Sequence, residues 1–337
     1  MNFTRTPMRV ICAVFALAFL VLADLANAQT PTPSPALLVL NKEDSTLSII
    51  DPGTLKTVAV IPTGEAPHEI TVSDDGKFAF VANYGARTPG NTISMIDLAA
   101  QKEIRRVDLG AFHRPHGITF ADGKIWFTAQ DNKLIARYDP SANQIDWVLG
   151  LGQNGTHMLV FSKDRSLLFT SNIGSDSIGV LQRSSDPSGW SAMLIPVGKG
   201  PEGGDISPDG REYWAANSGD GSISIIDVAA KKVAQTLDVH TKRSNRLKFR
   251  PDGKLVLVSD LAGNELIVLD AASRKEIKRL RLGAQPEGIL ILPDGSRAYV
   301  AVAGEKTVAV LDLKSFEVTA RISTGAGPDG LAWAARH

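Results

Sequence analysis

A repeat of 42 to 46 residues runs through most of this chain and limits the folds open to it. A glycine marks six of the units and a histidine takes its place in one, so that the markers are Gly64, Gly110, Gly152, Gly198, His240, Gly283 and Gly325. Repeats of this length with four strands each are typical of β-propeller blades. The spacing therefore predicts a β-propeller.

One unit, residues 198–239, contains four strand segments in order. The first, PEGGDISPDG, ends at Asp209-Gly210, a pair that favours a tight turn. The second, third and fourth strands are REYWAAN, GSISIIDV and KKVAQTLDV. No segment has a helical period of useful length, so the chain is predicted to be all-β.

The two ends of the repeat region complete one blade together. Residues 37–63 contain only three strands, LLVLN, STLSIID and KTVAVIP, and six complete units follow. The tail GPDGLAWA supplies one further first strand. We therefore predict a seven-bladed propeller over residues 36–337, with four antiparallel strands per blade and no open sheet edge at the closure.

The N-terminal residues predict a secretory signal peptide. Arg5 and Arg9 precede the apolar run Val10–Leu22, and Ala26-Asn27-Ala28 is a small-residue cleavage site. We expect residues 1–28 to be removed after Ala28 and residues 29–35 to form a Thr/Pro leader. The run is shorter than a membrane span, so no span remains after cleavage. The expected location is the periplasm, with secretion as the alternative.

The charge balance and the cysteine content limit the classes of partner and the kind of stabilisation that this protein can have. The chain has 36 basic and 36 acidic residues, which argues against nucleic-acid binding. The single cysteine, Cys12, lies within the signal peptide, so the mature protein depends on its core rather than on disulfides. We expect a monomer that binds a small molecule or a protein of the cell envelope.

Several segments resemble a known repeat family. SPDGREYWAAN, GSISIIDVAAKKVAQTLDV and GSRAYVAVAGEKTVAVLDL resemble the YVTN-type repeats of YncE-like periplasmic and surface propellers. The resemblance covers residues 36–337 and implies the seven-bladed fold. The third blade, PHGITFADGKIWFTAQDNKLIARYD, is similar to the repeats of streptogramin (virginiamycin B) lyases, which implies a metal-dependent enzyme. Propellers have many unrelated activities, so the resemblance implies more about fold than about function.

The first strands of the seven blades predict a ring of polar residues. The innermost strand of a blade begins at the mouth of the central channel, so its first residues surround that mouth. Alignment of the seven strands gives one polar residue per blade: His68, His116, His157, Glu202, Asn245, Glu287 and Asp329. Each is a metal ligand or a proton-transfer group by type.

Two arcs of this ring differ in their donor atoms. His68, His116, His157 and Glu202 come from consecutive blades and suit zinc, copper or iron. The other arc contains only oxygen donors that suit calcium or magnesium: Asn245, Glu287 and Asp329. The ring is too wide for one ion with seven protein ligands. A solvated ring or a ligand pocket without metal is the alternative.

Further residues flank the ring. Arg114, Arg243 and Arg246 are candidates to bind an anionic group of a ligand, or are solvated surface residues. The long loop at residues 83–91 places Tyr84 and Arg87 near the mouth.

Two functions remain open from the sequence. The first is a non-enzymatic exported propeller that binds a ligand or partner at the channel mouth, with a divalent metal on the His/Glu residues. The second is a metal-dependent lyase or a lactonase-like hydrolase. In that case the metal polarises a carbonyl or activates water, and the catalytic residues are His68, His116, His157 and Glu202.

Overall fold

A computed structural model describes residue 1, residues 30–185 and residues 189–336. The chain divides into two units, Met1–Pro31 and Thr32–His337. The predicted signal peptide, residues 1–28, lies outside the described residues except for Met1. Within the part of the chain that the structure describes, no helix has the length and apolar character needed to cross a membrane.

The unit Thr32–His337 contains the strands. The first three are β1 (Ala36–Asn41), β2 (Thr46–Asp51) and β3 (Lys56–Pro62). Blade 2 comprises β4 (Pro67–Val72), β5 (Phe78–Asn83), β6 (Thr92–Asp97) and β7 (Lys102–Asp108). Blade 3 comprises β8 (Pro115–Ala121), β9 (Lys124–Ala129), β10 (Leu134–Asp139) and β11 (Gln144–Gly150). Blade 4 comprises β12 (Thr156–Phe161), β13 (Leu167–Asn172), β14 (Ser177–Arg183) and β15 (Trp190–Pro196).

The remaining blades repeat this arrangement. Blade 5 comprises β16 (Pro201–Ile206), β17 (Glu212–Asn217), β18 (Ser222–Asp227) and β19 (Lys232–Asp238). Blade 6 comprises β20 (Ser244–Phe249), β21 (Leu255–Asp260), β22 (Glu265–Asp270) and β23 (Lys275–Arg281). Blade 7 comprises β24 (Pro286–Ile291), β25 (Arg297–Val302), β26 (Thr307–Asp312) and β27 (Glu317–Ser323), and the last strand is β28 (Pro328–Ala334). Two short 3₁₀ turns, Ile173–Ser175 and Ala303–Glu305, follow β13 and β25.

The ring closes as the sequence predicts. Strand β28 pairs antiparallel with β1, with Leu37 opposite Trp333 and Val39 opposite Leu331. The order in this sheet is β28-β1-β2-β3, so the last strand is the innermost strand of blade 1. The seven-bladed fold and its closure are therefore confirmed.

Packing between neighbouring blades supplies the core. The second strands of the blades are buried on both faces, which explains their nearly continuous apolar sequences. Phe80 of blade 2 stacks on Phe120 of blade 3, and Phe169 of blade 4 stacks on Tyr213 of blade 5. The fourth strands lie at the rim, and most of their residues are exposed.

The glycine that marks the repeat packs against an asparagine at the end of the second strand. Asn83 accepts a hydrogen bond from the amide of Gly64 and donates to Thr92 and Ser94 on the next strand. A Cβ added at Gly64 would overlap the Asn83 side chain. A Cβ at Gly198 would likewise overlap Asn217, which donates to Ser222 and Ser224, although the Gly198 amide itself donates to Ser224. These asparagines are therefore structural residues.

A second set of glycines brings the inner strands close together. The third residue of an inner strand is glycine in four blades: Gly117, Gly203, Gly288 and Gly330. A Cβ at Gly203 would lie 2.5 Å from the carbonyl oxygen of Asn245, and one at Gly117 would lie 2.7 Å from that of His157. The neighbouring blade's ring residue is thus fixed by close backbone contact, which positions the channel mouth.

Candidate functional site

All seven predicted ring residues line one cavity at the mouth of the channel. The cavity has a volume of about 520 Å³. Each ring residue is the second residue of its inner strand, and six of the seven are buried: His116, His157, Glu202, Asn245, Glu287 and Asp329. A cavity of this size suits a small molecule.

Three histidines and a tyrosine form one side of the cavity. The rings of His116 and His157 stack with their centroids 3.5 Å apart, and that of His68 lies 5.2 Å from His116. The ring of Tyr84 lies 4.6 Å from His68 and meets His116 edge-on at 5.4 Å. Arg114 covers the Tyr84 ring at 4.6 Å. This side of the cavity is therefore aromatic.

Hydrogen bonds fix the tautomers of two histidines. His68 Nδ1 lies 2.8 Å from the carbonyl oxygen of Ala66, and His157 Nδ1 lies 2.9 Å from Oε1 of Gln130. Since both oxygens accept, each Nδ1 carries the proton, and in the neutral ring Nε2 keeps a lone pair. A hydrogen bond to the ring nitrogen that does not bind the metal orients histidines that bind metals.

Burial keeps the three imidazoles neutral. It lowers the pKa of His68 and places the pKa values of His116 and His157 well below the usual range. The neighbouring His157 and His68 rings lower the pKa of His116 further, and the Arg246 cation lowers that of His157. The lone pairs therefore remain available at neutral pH.

Three polar atoms at the mouth have no hydrogen-bond partner among the described residues. They are His116 Nδ1, His157 Nε2 and Asp329 Oδ1, and all three are buried. Buried polar atoms are nearly always paired in folded proteins, so an unpaired group requires an explanation such as a ligand, an ion or water. These atoms belong to residues of the same cavity.

Carboxylates and a lysine form the opposite side. Lys42 Nζ lies 2.7 and 2.6 Å from the two oxygens of Glu287 and 3.4 Å from Oδ2 of Asp329. Burial and the Asp329 charge raise the pKa of Glu287 to about 8. Burial alone would raise the pKa of Asp329, but the cations of Lys42 and Arg246 lower it to about 2.

Arg246 forms the floor of the mouth cavity. Its Nη2 lies 2.6 Å from Oε1 of Glu69, and its Nη1 donates to Oδ1 of Asn245 at 3.2 Å. Asn245 in turn donates to Oε1 of Glu202 at 2.7 Å. Arg246 also lines a second cavity of about 350 Å³ deeper in the channel, together with Glu69. The Arg246–Glu69 pair thus lies between the two cavities.

The predicted flanking residues separate into two groups. Tyr84, Arg243 and Arg246 line the mouth cavity, whereas Arg87 is exposed in its loop and does not line it. Arg114 contacts Tyr84 and lies 3.6 Å from Asp131, outside the lining. Lys42, Gln130 and Glu69 were not predicted as site residues from the sequence. Each of them contacts a ring residue or Arg246.

Glu202, the fourth residue of the predicted metal arc, contacts residues of blade 6. It accepts a hydrogen bond from Asn245 and lies 3.7 Å from Nη1 of Arg246. Among the described residues, no group of three or more histidine, cysteine or acidic side chains is arranged to hold a metal ion. Coordination by His116 and His157 together would require their stacked rings to turn.

A closed seven-bladed ring with a polar cavity at the channel mouth defines a β-propeller with a site on its inner strands. The chain belongs to the YNCE-like β-propeller family, whose sequence model matches residues 6–337. No curated protein matches it in a sequence comparison.

Two solved structures illustrate the range of proteins with this fold. The Pseudomonas aeruginosa periplasmic gluconolactonase is 20% identical, with a TM-score of 0.72 over 90% of this chain and 100% of that one. The Kuenenia stuttgartiensis hydrazine synthase is also 20% identical, with a TM-score of 0.68 over 80% of this chain and 92% of that one. At these identities the likeness concerns the fold alone.

Proposed function

We propose that this protein binds a small polar ligand at the channel mouth and that the histidine side of the cavity holds a divalent transition metal. The observation that carries the proposal is the set of unpaired buried atoms at the ring, above all Nε2 of His157 and Nδ1 of His116. Unprotonated imidazole nitrogens are ligands for zinc, copper and iron.

The charged groups of the mouth and its floor already face one another. Lys42, Arg243 and Arg246 lie beside the carboxyl groups of Glu287, Asp329, Glu202 and Glu69. The unprotonated imidazole nitrogens are therefore the donor atoms of the mouth that a metal ion could use without displacing a cation.

The test is the metal content of the mature protein, purified without a histidine tag. We expect about one equivalent of metal after exposure to zinc, copper or iron, and a loss of most of it in His68→Ala and His157→Ala. The control is His240→Ala, because His240 is exposed and pairs with Asp238 outside the cavity. Absence of bound metal in the parent, or retention of metal in both variants, would refute the metal site.

A second candidate is hydrolysis at the same ring. The Nδ1 protons of His68 and His157 are held by acceptors, so their Nε2 atoms are suited to accept a proton from water. The fold likeness to a gluconolactonase makes glucono-δ-lactone the first substrate to test. Release of acid above the uncatalysed rate, abolished in His157→Ala but not in His240→Ala, would support hydrolysis. Equal rates with and without the protein would leave ligand binding as the function.

We also propose that the protein is exported and acts as a monomer. The signal peptide predicted at residues 1–28 supports export, and the closed ring supports a monomer because its sheets leave no edge open at the closure. Cell fractionation with N-terminal sequencing tests cleavage before Gln29. Light scattering on the purified protein tests the oligomeric state, and a stable dimer would contradict it.

A further inference from the structure

Lys42 places an ammonium group within the oxygen side of the channel mouth. It lies in the turn between β1 and β2, and its backbone amide donates to the carbonyl of Gly327 at the start of the closing strand. The side chain is 22% exposed and reaches Glu287 of blade 7 and Asp329 of blade 1. The ammonium group of a residue in the β1–β2 turn thus contacts the ring residues of two blades.

The contacts of Lys42 occupy the oxygen atoms that a hard metal ion would use. Both carboxylate oxygens of Glu287 are within 2.7 Å of Nζ, so this carboxylate is engaged at both oxygens by the ammonium. Calcium in proteins is often bound by both oxygens of one carboxylate, with six to eight oxygen ligands in all. The third oxygen donor of this arc, Asn245, is used by Arg246.

The histidine side differs in this respect. Among the described residues, His68 and His157 form hydrogen bonds through Nδ1, with Ala66 and Gln130 as partners. The ion pairs that Lys42, Arg243 and Arg246 form at the mouth are with carboxylates. The two sides of the mouth therefore differ in whether a cation is already present.

We propose that Lys42 is a specificity-determining residue that fills the oxygen side of the ring and excludes calcium and magnesium from it. A divalent ion on Glu287 and Asp329 would have to displace the ammonium or remain close to a like charge, which opposes its binding. The mouth is then left selective for metals that bind imidazole. This selectivity rests on the proposed function, whereas the exclusion of calcium by Lys42 does not.

The test is a gain of calcium binding on removal of the ammonium. Calorimetric titration of calcium chloride at pH 8 into mature Lys42→Met is expected to show at least about tenfold tighter binding than into the parent. Lys42→Arg is the matched control, because it keeps the positive charge and should bind calcium no better than the parent. A second substitution, Glu287→Gln in the Lys42→Met background, should abolish the gain and so locate the ion.

Each outcome decides the proposal. Calcium binding by Lys42→Met but not by Lys42→Arg supports it. Equal binding by parent and Lys42→Met overturns it, and so does absence of binding by a Lys42→Met protein whose circular dichroism and thermal unfolding match the parent. Lys42→Gln is the second variant if Lys42→Met does not fold. Zinc titration of the parent is a separate arm, so failure of the histidine site is distinguished from failure of this inference.

Discussion

Arg246 and Glu69 form an ion pair of 2.6 Å that joins blades 6 and 2 across the central channel. Blades 6 and 2 are three steps apart around a ring of seven, which is the largest separation that the ring allows. Glycine at the same level of four other blades, as at Gly203 and Gly288, leaves room for these two side chains. The pair therefore holds opposite sides of the ring together beneath the mouth.

Loss of one partner of this pair is expected to destabilise the fold. In Glu69→Met the guanidinium of Arg246, whose side chain is 7% exposed, loses its shortest contact with a carboxylate. Removing one member of a buried pair costs about 3–5 kcal/mol in the free energy of unfolding. Urea denaturation should therefore show a large loss for Glu69→Met and for Arg246→Met.

The double variant Glu69→Met/Arg246→Met is the control for this prediction. It removes both charges, so it should recover a large part of the stability that either single variant loses. Losses in the double variant equal to the sum of the two single losses would show that the two side chains act independently.

The close contact between neighbouring inner strands leads to a second prediction about stability. Gly203→Ala would place a Cβ 2.5 Å from the carbonyl oxygen of Asn245, so the strands of blades 5 and 6 must separate. We expect a loss of about 1–3 kcal/mol in the free energy of unfolding, as for other overpacked sites. The matched control is Gly150→Ala, because a Cβ at Gly150 has no atom within 4 Å. Equal effects of the two variants would contradict the packing argument.

The sequence was sufficient to predict the blades, their closure and the ring positions, because these follow from a periodic pattern. The second residue of each inner strand lies at the mouth in all seven blades, as the alignment requires. Lys42 could not be found in this way, because it lies in a turn and reaches the ring through a long side chain. Glu69 could have been found, since the third position of the inner strands is mostly glycine and its two charged members are Glu69 and Arg246.

The chemistry of the ring was less predictable than its position. We expected Glu202 to form one group of metal ligands with the three histidines, whereas the structure places its carboxylate in contact with Asn245 and near Arg246. Side-chain direction at a given ring position depends on the charges of the next blade, and the repeat pattern does not contain that information. The metal site on the histidines stays a prediction.

The free energy of unfolding should decrease as the pH falls below about 6.5, the ordinary pKa of histidine. Burial depresses the pKa values of His116 and His157 in the folded protein, whereas in the unfolded chain they are about 6.5. The unfolded state then binds more protons below that pH, so stability is complete above about 6.5 and is lost as the pH falls. Each such proton contributes at most about 1.4 kcal/mol per pH unit.

Urea denaturation between pH 7.5 and 5.5 with a chelator present tests this dependence. Besides the two histidines themselves, the charged and titratable groups that act on the two rings are the same in every variant compared: His68, Lys42, Arg243, Arg246 and Asp329. The double variant His116→Asn/His157→Gln should have a flatter profile than the parent, and His240→Asn, at an exposed site, should not. An unchanged slope in the double variant would assign the acid sensitivity to other groups.

The hydrogen bond from His157 to Gln130 predicts a role for a residue that lies outside the ring. Gln130 Oε1 accepts the Nδ1 proton of His157 and so directs the Nε2 lone pair away from Gln130. Gln130→Ala leaves His157 in place but frees its ring to rotate and to change tautomer. Loss of an outer-shell partner of this kind typically weakens metal binding about 10- to 100-fold, and the same loss is expected for zinc here.

Zinc titration of the chelator-treated protein gives the measurement, with Gln285→Ala as the matched control. Gln285 lines the same cavity, but its hydrogen bonds to Asn264 and Ala303 are made by its backbone amide and carbonyl. Removal of its side chain should therefore leave zinc affinity unchanged. Gln130→Glu should retain affinity, because a carboxylate still accepts the Nδ1 proton. Equal zinc affinity in parent and Gln130→Ala would mean that His157 does not bind the metal through Nε2.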